Sequence, residues 1–439
     1  MKTRNLSLYI ALFMFCSCES RLDVEPTLSI SDEVALKSPE NVKKLLIGTY
    51  EINGDAYSYG GYLQIFSDLL GYDTYVSWNG TFSEPREALT KNMFSNNSLI
   101  QEIWNNLFRV VSQSNLVLDH LDVFADDAER SVVEGEARFL RAMNYFDLVR
   151  MFGTEVNGVP IRQTAVTDFG GILEIRRNST AEVYAFIQDD IAKAISLLPE
   201  ENGEFADKYA ALALQARVNL YLGKYAEARD AANAVIEQGG NVLSPSFADA
   251  FNLDVDGAED IFMMQVTSQS GENQLIQMYA SEENGGRGGD ISINQEYLDI
   301  FDDDNDERKH FYYENPAANL LSSKYTNQFG NVPIFRLAEM LLIRAETNIR
   351  LNTFIGSTPL DDVNALRQRS NAAPLPTVTL EDVLWERQRE LAFEGFAIYD
   401  LKRTQSSVQG LPYNSPKLVL PIPRSEMDAN PLMEQNEGY

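Results

Sequence analysis

The segment LLGYDTYVSWNGTFSEP, Leu69 to Pro85, gathers Tyr72, Asp73, Tyr75, Trp78 and Asn79 into one stretch without helical period. A second irregular stretch, Thr267 to Asp306, holds Tyr279, the run EENGGRGGD (Glu282 to Asp290) with Arg287, and the acidic run DDDND (Asp302 to Asp306). An indole stacks on the apolar C–H face of a sugar ring, while Asp, Asn or Arg supplies planar, bidentate partners for its hydroxyls. Trp78 with Asp73, Tyr75 and Asn79, faced by Tyr279 and Arg287 from the second stretch, is therefore the expected ligand-binding set. The alternative is that Trp78 anchors its loop in the core. Loops of this length in a compact body tend to carry function.

Other chemistries find little material. The chain has 2 His and 2 Cys, and both Cys fall at positions 16 and 18. His120 and His310 alone are too few for the usual imidazole-centred catalytic or zinc arrangements. No nucleophile elbow, phosphate loop, dinucleotide fingerprint or HExxH run occurs, so no catalytic residue and no cofactor are expected. Asp302, Asp304 and Asp306 alternate as in a calcium loop, but Glu307 stands where the turn needs glycine and Tyr313 where it needs the final Glu. A solvated turn, with no metal, is the expectation. Glu134, Arg138 and Arg141, and likewise Glu386, Arg387, Arg389 and Glu390, sit at helical spacings that suit ion pairs between packed helices.

The elements that must position the binding set are helical. In DKYAALALQARVNLYLGKYAEARDAANAVIEQGG, Tyr209, Leu212, Ala216 and Leu220 form one stripe, and Tyr225, Ala228, Ala232 and Val235 a second beyond Gly223. This is a tetratricopeptide-like hairpin. Further helices are expected over Ile100–Val123, Ala128–Phe152, Ser179–Leu198, Ile334–Leu351 and Leu380–Arg403, with capping boxes at Ser179/Glu182 and Thr379/Asp382. Ser38 before Pro39 marks another helix start. Strands are expected only at Asp260–Ser268 and Lys417–Pro423. The fold class is thus mainly α, a tetratricopeptide-like superhelix with long loops and minor β, in one domain over residues 32–439.

At the N-terminus, Lys2 and Arg4 precede the apolar run Leu6–Phe15, which is too short to span a bilayer. Ser17 before Cys18 suits cleavage ahead of Cys18. Residues 1–17 therefore read as a lipoprotein signal peptide, Cys18 as the lipidated residue, and 18–31 as a tether. With 36 Lys and Arg against 65 Asp and Glu, the formal charge of −29 disfavours nucleic acid as a partner.

Six ordered stretches and the helical hairpin together resemble one family, the SusD/RagB outer-membrane nutrient-binding lipoproteins of Bacteroidetes. They are CESRLDVEPT, EGEARFLRAMNYFDLVRMFGTEVNGVPI, STAEVYAFIQDDIAKAISLLPE, RLAEMLLIRAETNIR, WERQRELAFEGFAIYDLKR and LVLPIPRSEMDANPLMEQNEGY. The resemblance implies four tetratricopeptide-like helix pairs and a lid-like partner of a SusC-like TonB-dependent transporter, capturing oligosaccharides at the cell surface. Peptide capture, as in some RagB-like proteins, and a ligand-free adaptor role are the alternatives. One departure is Ala397, where many relatives carry Arg. The region of Trp78 resembles the part of the family that often bears an aromatic platform.

Overall fold

The computed structural model describes residues 36–166, 174–266 and 273–439. Cys18, the signal peptide and the tether lie outside the described residues. Among the described residues there are fifteen α-helices and six short strands. In order these are α1 (Pro39–Asn53), α2 (Tyr62–Gly71), β1 (Val76–Trp78), α3 (Ser83–Leu89), α4 (Ser98–Leu118), α5 (Asp127–Phe152), α6 (Thr180–Leu197), α7 (Lys208–Tyr221) and α8 (Tyr225–Gln238). Then come β2 (Asp260–Met264), α9 (Gln274–Tyr279), β3 (Ile291–Ile293), α10 (Gln295–Leu298), β4 (Tyr312–Glu314), β5 (Leu320–Ser322) and β6 (Val332–Arg336). The last are α11 (Leu337–Leu351), α12 (Pro359–Arg369), α13 (Leu380–Leu391), α14 (Ala397–Arg403) and α15 (Arg424–Ala429).

The fold is mainly α, as the periodicity indicates. Helices α4, α5, α6, α7 and α8 pack in serial order, and α11 packs on α8, α12 and α13. Alanines make the close approach possible: Ala213 and Ala216 of α7 and Ala228 and Ala232 of α8 are fully buried. Ion pairs tie this stack together, the expected ones on α5 among them. Arg138 and Arg141 of α5 meet Asp190 of α6 at 2.7 Å, and Arg217 of α7 meets Glu339 of α11 at 2.7 Å. Both capping boxes and the Ser38 cap are formed.

Some expected elements differ. The helix expected from Ile100 to Val123 ends at Leu118 and gives way to a single 3₁₀ turn at Leu121–Val123. Ile334 to Arg336 are not helical; they form the end of β6, antiparallel to β2. Lys417–Pro423 does not join a sheet, because Pro421 and Pro423 lack N–H groups and the neighbouring amides bond elsewhere. Leu420 donates to the Met151 carbonyl and Ile422 to Gln435 Oε1. The long C-terminal helix is broken between Leu391 and Ala397, where Phe393 and Gly395 adopt positive φ of 67° and 86°.

The amides freed by that break are captured by Asp68 of α2, which accepts from Gly395 at 2.9 Å and Ala397 at 3.2 Å. Burial dominates and pushes the Asp68 carboxyl up to about 7 despite these donors. A raised carboxyl pKa means that the folded state holds a proton the unfolded chain has released. Its stabilising contribution is complete below the unfolded value near 4 and is lost as pH rises toward 7. Asp68→Asn should therefore gain relative to wild type by about 2 kcal/mol between pH 5 and pH 8 in urea unfolding. A wild-type-to-variant difference that stays constant over that range would exclude the assignment.

Candidate functional site

The irregular stretch around Trp78 is built as a short β-ribbon. β1 pairs antiparallel with β3, with Val76 opposite Ile293 and Trp78 opposite Ile291. Bonds beyond the strands extend the ribbon: Asn79 N–H donates to the Asp290 carbonyl at 2.7 Å and Asn294 N–H to the Tyr75 carbonyl at 2.9 Å. β3 continues through β5 to β4, giving the order β1-β3-β5-β4. Strands of three residues carry no detectable alternation and the partner strand is more than two hundred residues away, so the sequence shows only an aperiodic stretch here.

At the end of this ribbon an aromatic surface assembles. The half-buried Trp78 indole donates from Nε1 to the Phe82 carbonyl at 3.0 Å, and Phe82 is 38% exposed. The Arg287 guanidinium lies over the Phe82 ring, 4.3 Å from its centroid. Arg287 Nε in turn bonds Asp290 Oδ2 at 3.1 Å. A Cβ at Gly80 would fall 2.5 Å from the Trp78 ring and 2.8 Å from Asp290 Cγ, so only glycine lets the indole and the carboxyl close over the chain there. Tyr57 and Tyr62 stack beside the Arg287–Asp290 pair, centroids 5.8 Å apart and planes within 15°. Burial pushes the Tyr62 phenol up to about 12; the charges of Tyr57 and Asp290 add to this and Arg287 opposes it. Burial likewise raises the Asp290 carboxyl, with Arg287 opposing.

The glycine-rich run finds its explanation here. Gly285, Gly288 and Gly289 all adopt positive φ, which lets the chain turn tightly on either side of Arg287 and present it to the surface. Asn79 is exposed, and its amide bonds Ser292 Oγ at 2.9 Å.

Of the six residues expected to meet ligand, the structure thus brings Trp78, Asn79 and Arg287 together. Asp73 and Tyr75 lie elsewhere. The period of two sends Tyr75 to the face opposite Trp78, where its hydroxyl donates to Gln388 Oε1 at 3.1 Å. The two residues line a separate groove of about 380 Å³ with Arg387, Gln388, Ala397 and Asp400. Tyr279 is a correction: it is 1% exposed, packed between Tyr325 and Phe393 at centroid distances of 5.3 and 5.8 Å, and cannot face a ligand. It closes α9, a two-turn helix whose inward face is Leu275, Ile276, Met278 and Tyr279. Tyr57, Tyr62, Phe82 and Asp290 were not in the expected set. The run AYSYGGY directly after α1 and the phenylalanine four residues beyond Trp78 were the available signals.

The acidic run is fully committed to other partners. Asp302 meets Arg367 at 3.2 Å, Asp303 accepts from the Ala373 amide, Asp304 pairs with Lys309, and the buried Asp306 pairs with Arg308 at 2.7 Å. These carboxylates diverge, and no group of metal-ligating residues occurs among the described residues. No helix among them is long and apolar enough to cross a membrane.

Comparison with known proteins places the chain. Residues 21–220 match a family profile described as starch-binding associating with outer membrane, and residues 308–439 match the SusD family profile. Over its whole length the chain is 26% identical to SusD-like protein P38 of Formosa agariphila, all of which is covered. A solved putative sugar binding protein of Bacteroides vulgatus superposes with TM-score 0.80 at 25% identity, over 92% of this chain and 99% of that one. A laminarin binding SusD-like protein superposes with TM-score 0.78 at 21% identity, over 92% of this chain and 100% of that one. The tetratricopeptide-like architecture, the match of both halves to the family profiles and these relatives agree: the chain belongs to the SusD/RagB family.

Proposed function

We propose that this protein captures oligosaccharides at the outer-membrane surface, held there by lipid on Cys18, and hands them to a SusC-like TonB-dependent transporter. The observation that carries the reading is the Trp78–Phe82 surface with Arg287 stacked on it and the half-buried Tyr57, backed by the buried Tyr62, alongside. Flat aromatic faces of this kind take the apolar sides of sugar rings, and the Asn79 and Arg287 side chains beside them can bond hydroxyls. The starch-binding description of the matching family and the laminarin-binding SusD-like protein of similar fold support the same ligand class. Capture without turnover is part of the proposal.

Charge narrows the cargo. Arg287 is neutralised by Asp290, and the chain carries a formal charge of −29, so uncharged glycans fit this surface better than polyanionic ones. A native-gel panel should retard the protein with neutral β- or α-glucans and not with a sulfated polysaccharide such as carrageenan. Retention by peptides alone would replace this reading with peptide capture, and no ligand in either panel with a structural adaptor. Mild detergent extraction of the outer membrane should co-purify a large β-barrel protein; its consistent absence would sink the transporter half of the proposal.

A further inference from the structure

We propose that a cavity on another part of the molecule is a second binding site, for a carboxylate carried on a small polar ring such as a hexuronate. It goes beyond the capture surface and shares no lining residue with it. The cavity, of about 430 Å³, opens between the C-terminal end of α5, the start of α6 and the chain segment after α14, and is lined by Lys402, Tyr184, Tyr221 and Tyr413. Its volume lies within the range of small-ligand sites.

Lys402 is the reason to assign an anion. Its Nζ makes a single long bond, 3.3 Å to the Arg150 carbonyl, and among the described residues it forms no ion pair. Every neighbouring guanidinium is matched: Arg150 by Asp147, and Arg403 by Glu346 and Asp400. The carboxylates of Glu155 and Glu437, also on the cavity wall, belong to exposed residues and form no pair with it. Burial, together with the like charge of Arg150, pushes the Lys402 ammonium down to about 8. A half-buried cation that lacks a counter-charge and keeps unused N–H donors is stabilised by whatever anion can reach it.

The surroundings choose the kind of anion. Tyr184 and Tyr221, with centroids 6.3 Å apart and planes tilted by 38°, line the cavity with Tyr413, and aromatic walls of this kind suit a flat or chair-shaped body. A single ammonium matches a monoanion, and the two glutamates on the wall disfavour a dianion such as phosphate.

Calorimetry on the whole protein with methyl β-D-glucuronide, methyl β-D-glucoside and acetate tests the assignment. The glucuronide should bind at least about tenfold more tightly than either of the others. Lys402→Met should weaken glucuronide binding by about tenfold or more while leaving thermal unfolding unchanged or raised, since it removes an unmatched, half-buried charge. Should that variant fail to fold, Tyr413→Ala, at a partly exposed ring, is expected to weaken the glucuronide instead. Equal binding of the glucoside overturns the role of the charge, equal binding of acetate overturns the role of the rings, and glucuronide affinity unaffected by either variant overturns the site.

Discussion

Trp78→Ala should weaken binding of the glycan identified in the panel by about ten- to a hundredfold, or roughly 1.4–2.8 kcal/mol. The ring is the largest flat face on the surface and is only half-buried, so the substitution removes ligand contact more than core contact. Its Nε1 bond to the Phe82 carbonyl also goes, which frees the segment that holds Phe82 under Arg287. Trp78→Phe separates these effects: it keeps a face for stacking and loses the bond. Recovery of most of the affinity by Trp78→Phe would assign the energy to stacking, and calorimetry showing wild-type affinity for Trp78→Ala would remove this surface as the binding site. The loss should appear in binding and hardly at all in urea unfolding, because Trp78 ends a three-residue strand and most of the core lies elsewhere.

The largest expected effect on stability comes from Glu390→Ala, about 3–5 kcal/mol in urea unfolding. Glu390 of α13 is fully buried among cations. Its carboxylate bonds Arg369 of α12, meets Arg336 at the end of β6 at 3.2 Å and meets Arg308 at 3.2 Å. Its backbone carbonyl accepts from Lys324 at 2.9 Å. The surrounding cations hold the carboxyl below the usual range in spite of burial; Arg369 contributes most, then Arg336 and Arg308. Removing the carboxylate leaves those cations facing one another in a dry site, shared only with Glu259, Glu386, Glu394 and Asp306. Glu390→Gln keeps the shape and should fall between wild type and alanine. A loss under about 1 kcal/mol for the alanine variant would mean that the network relaxes around the gap.

The helices were legible because each declares itself locally. The stripes of α7 and α8, the boxes at Ser179 and Thr379 and the Ser38–Pro39 start all rest on neighbours three or four residues apart, and all formed. Glu386, Arg387, Arg389 and Glu390 were legible as ion-pairing residues for the same reason, although their partners, Arg308, Arg336 and Asp400 among them, were not. The break at Ala392–Phe396 was missed because its signal was a lone glycine, and what makes it stable is Asp68, far away in the chain.

The binding set divides along the same line. Composition grouped Trp78, Asn79 and Arg287 as an indole, an amide and a guanidinium in aperiodic segments, and the structure places them beside one another. Composition also grouped with them Asp73 and Tyr75, which line a separate groove, and Tyr279, which is buried, because a list of residue types carries no face and no depth. Only the pairing of β1 with β3 turned Tyr75 away from Trp78, and only the packing of α9 sent Tyr279 into the core. The amino-acid sequence by itself thus determined the helical class, the caps, the family and the kind of chemistry available, all of which depend on short-range spacing or on ordered motifs. The tertiary structure decided which aromatics share a surface, that Arg287 is neutralised by Asp290 and that Lys402 is left without a counter-charge. Each of those is a meeting of side chains whose geometry is set by backbone turns and sheet register, and local spacing holds no record of it.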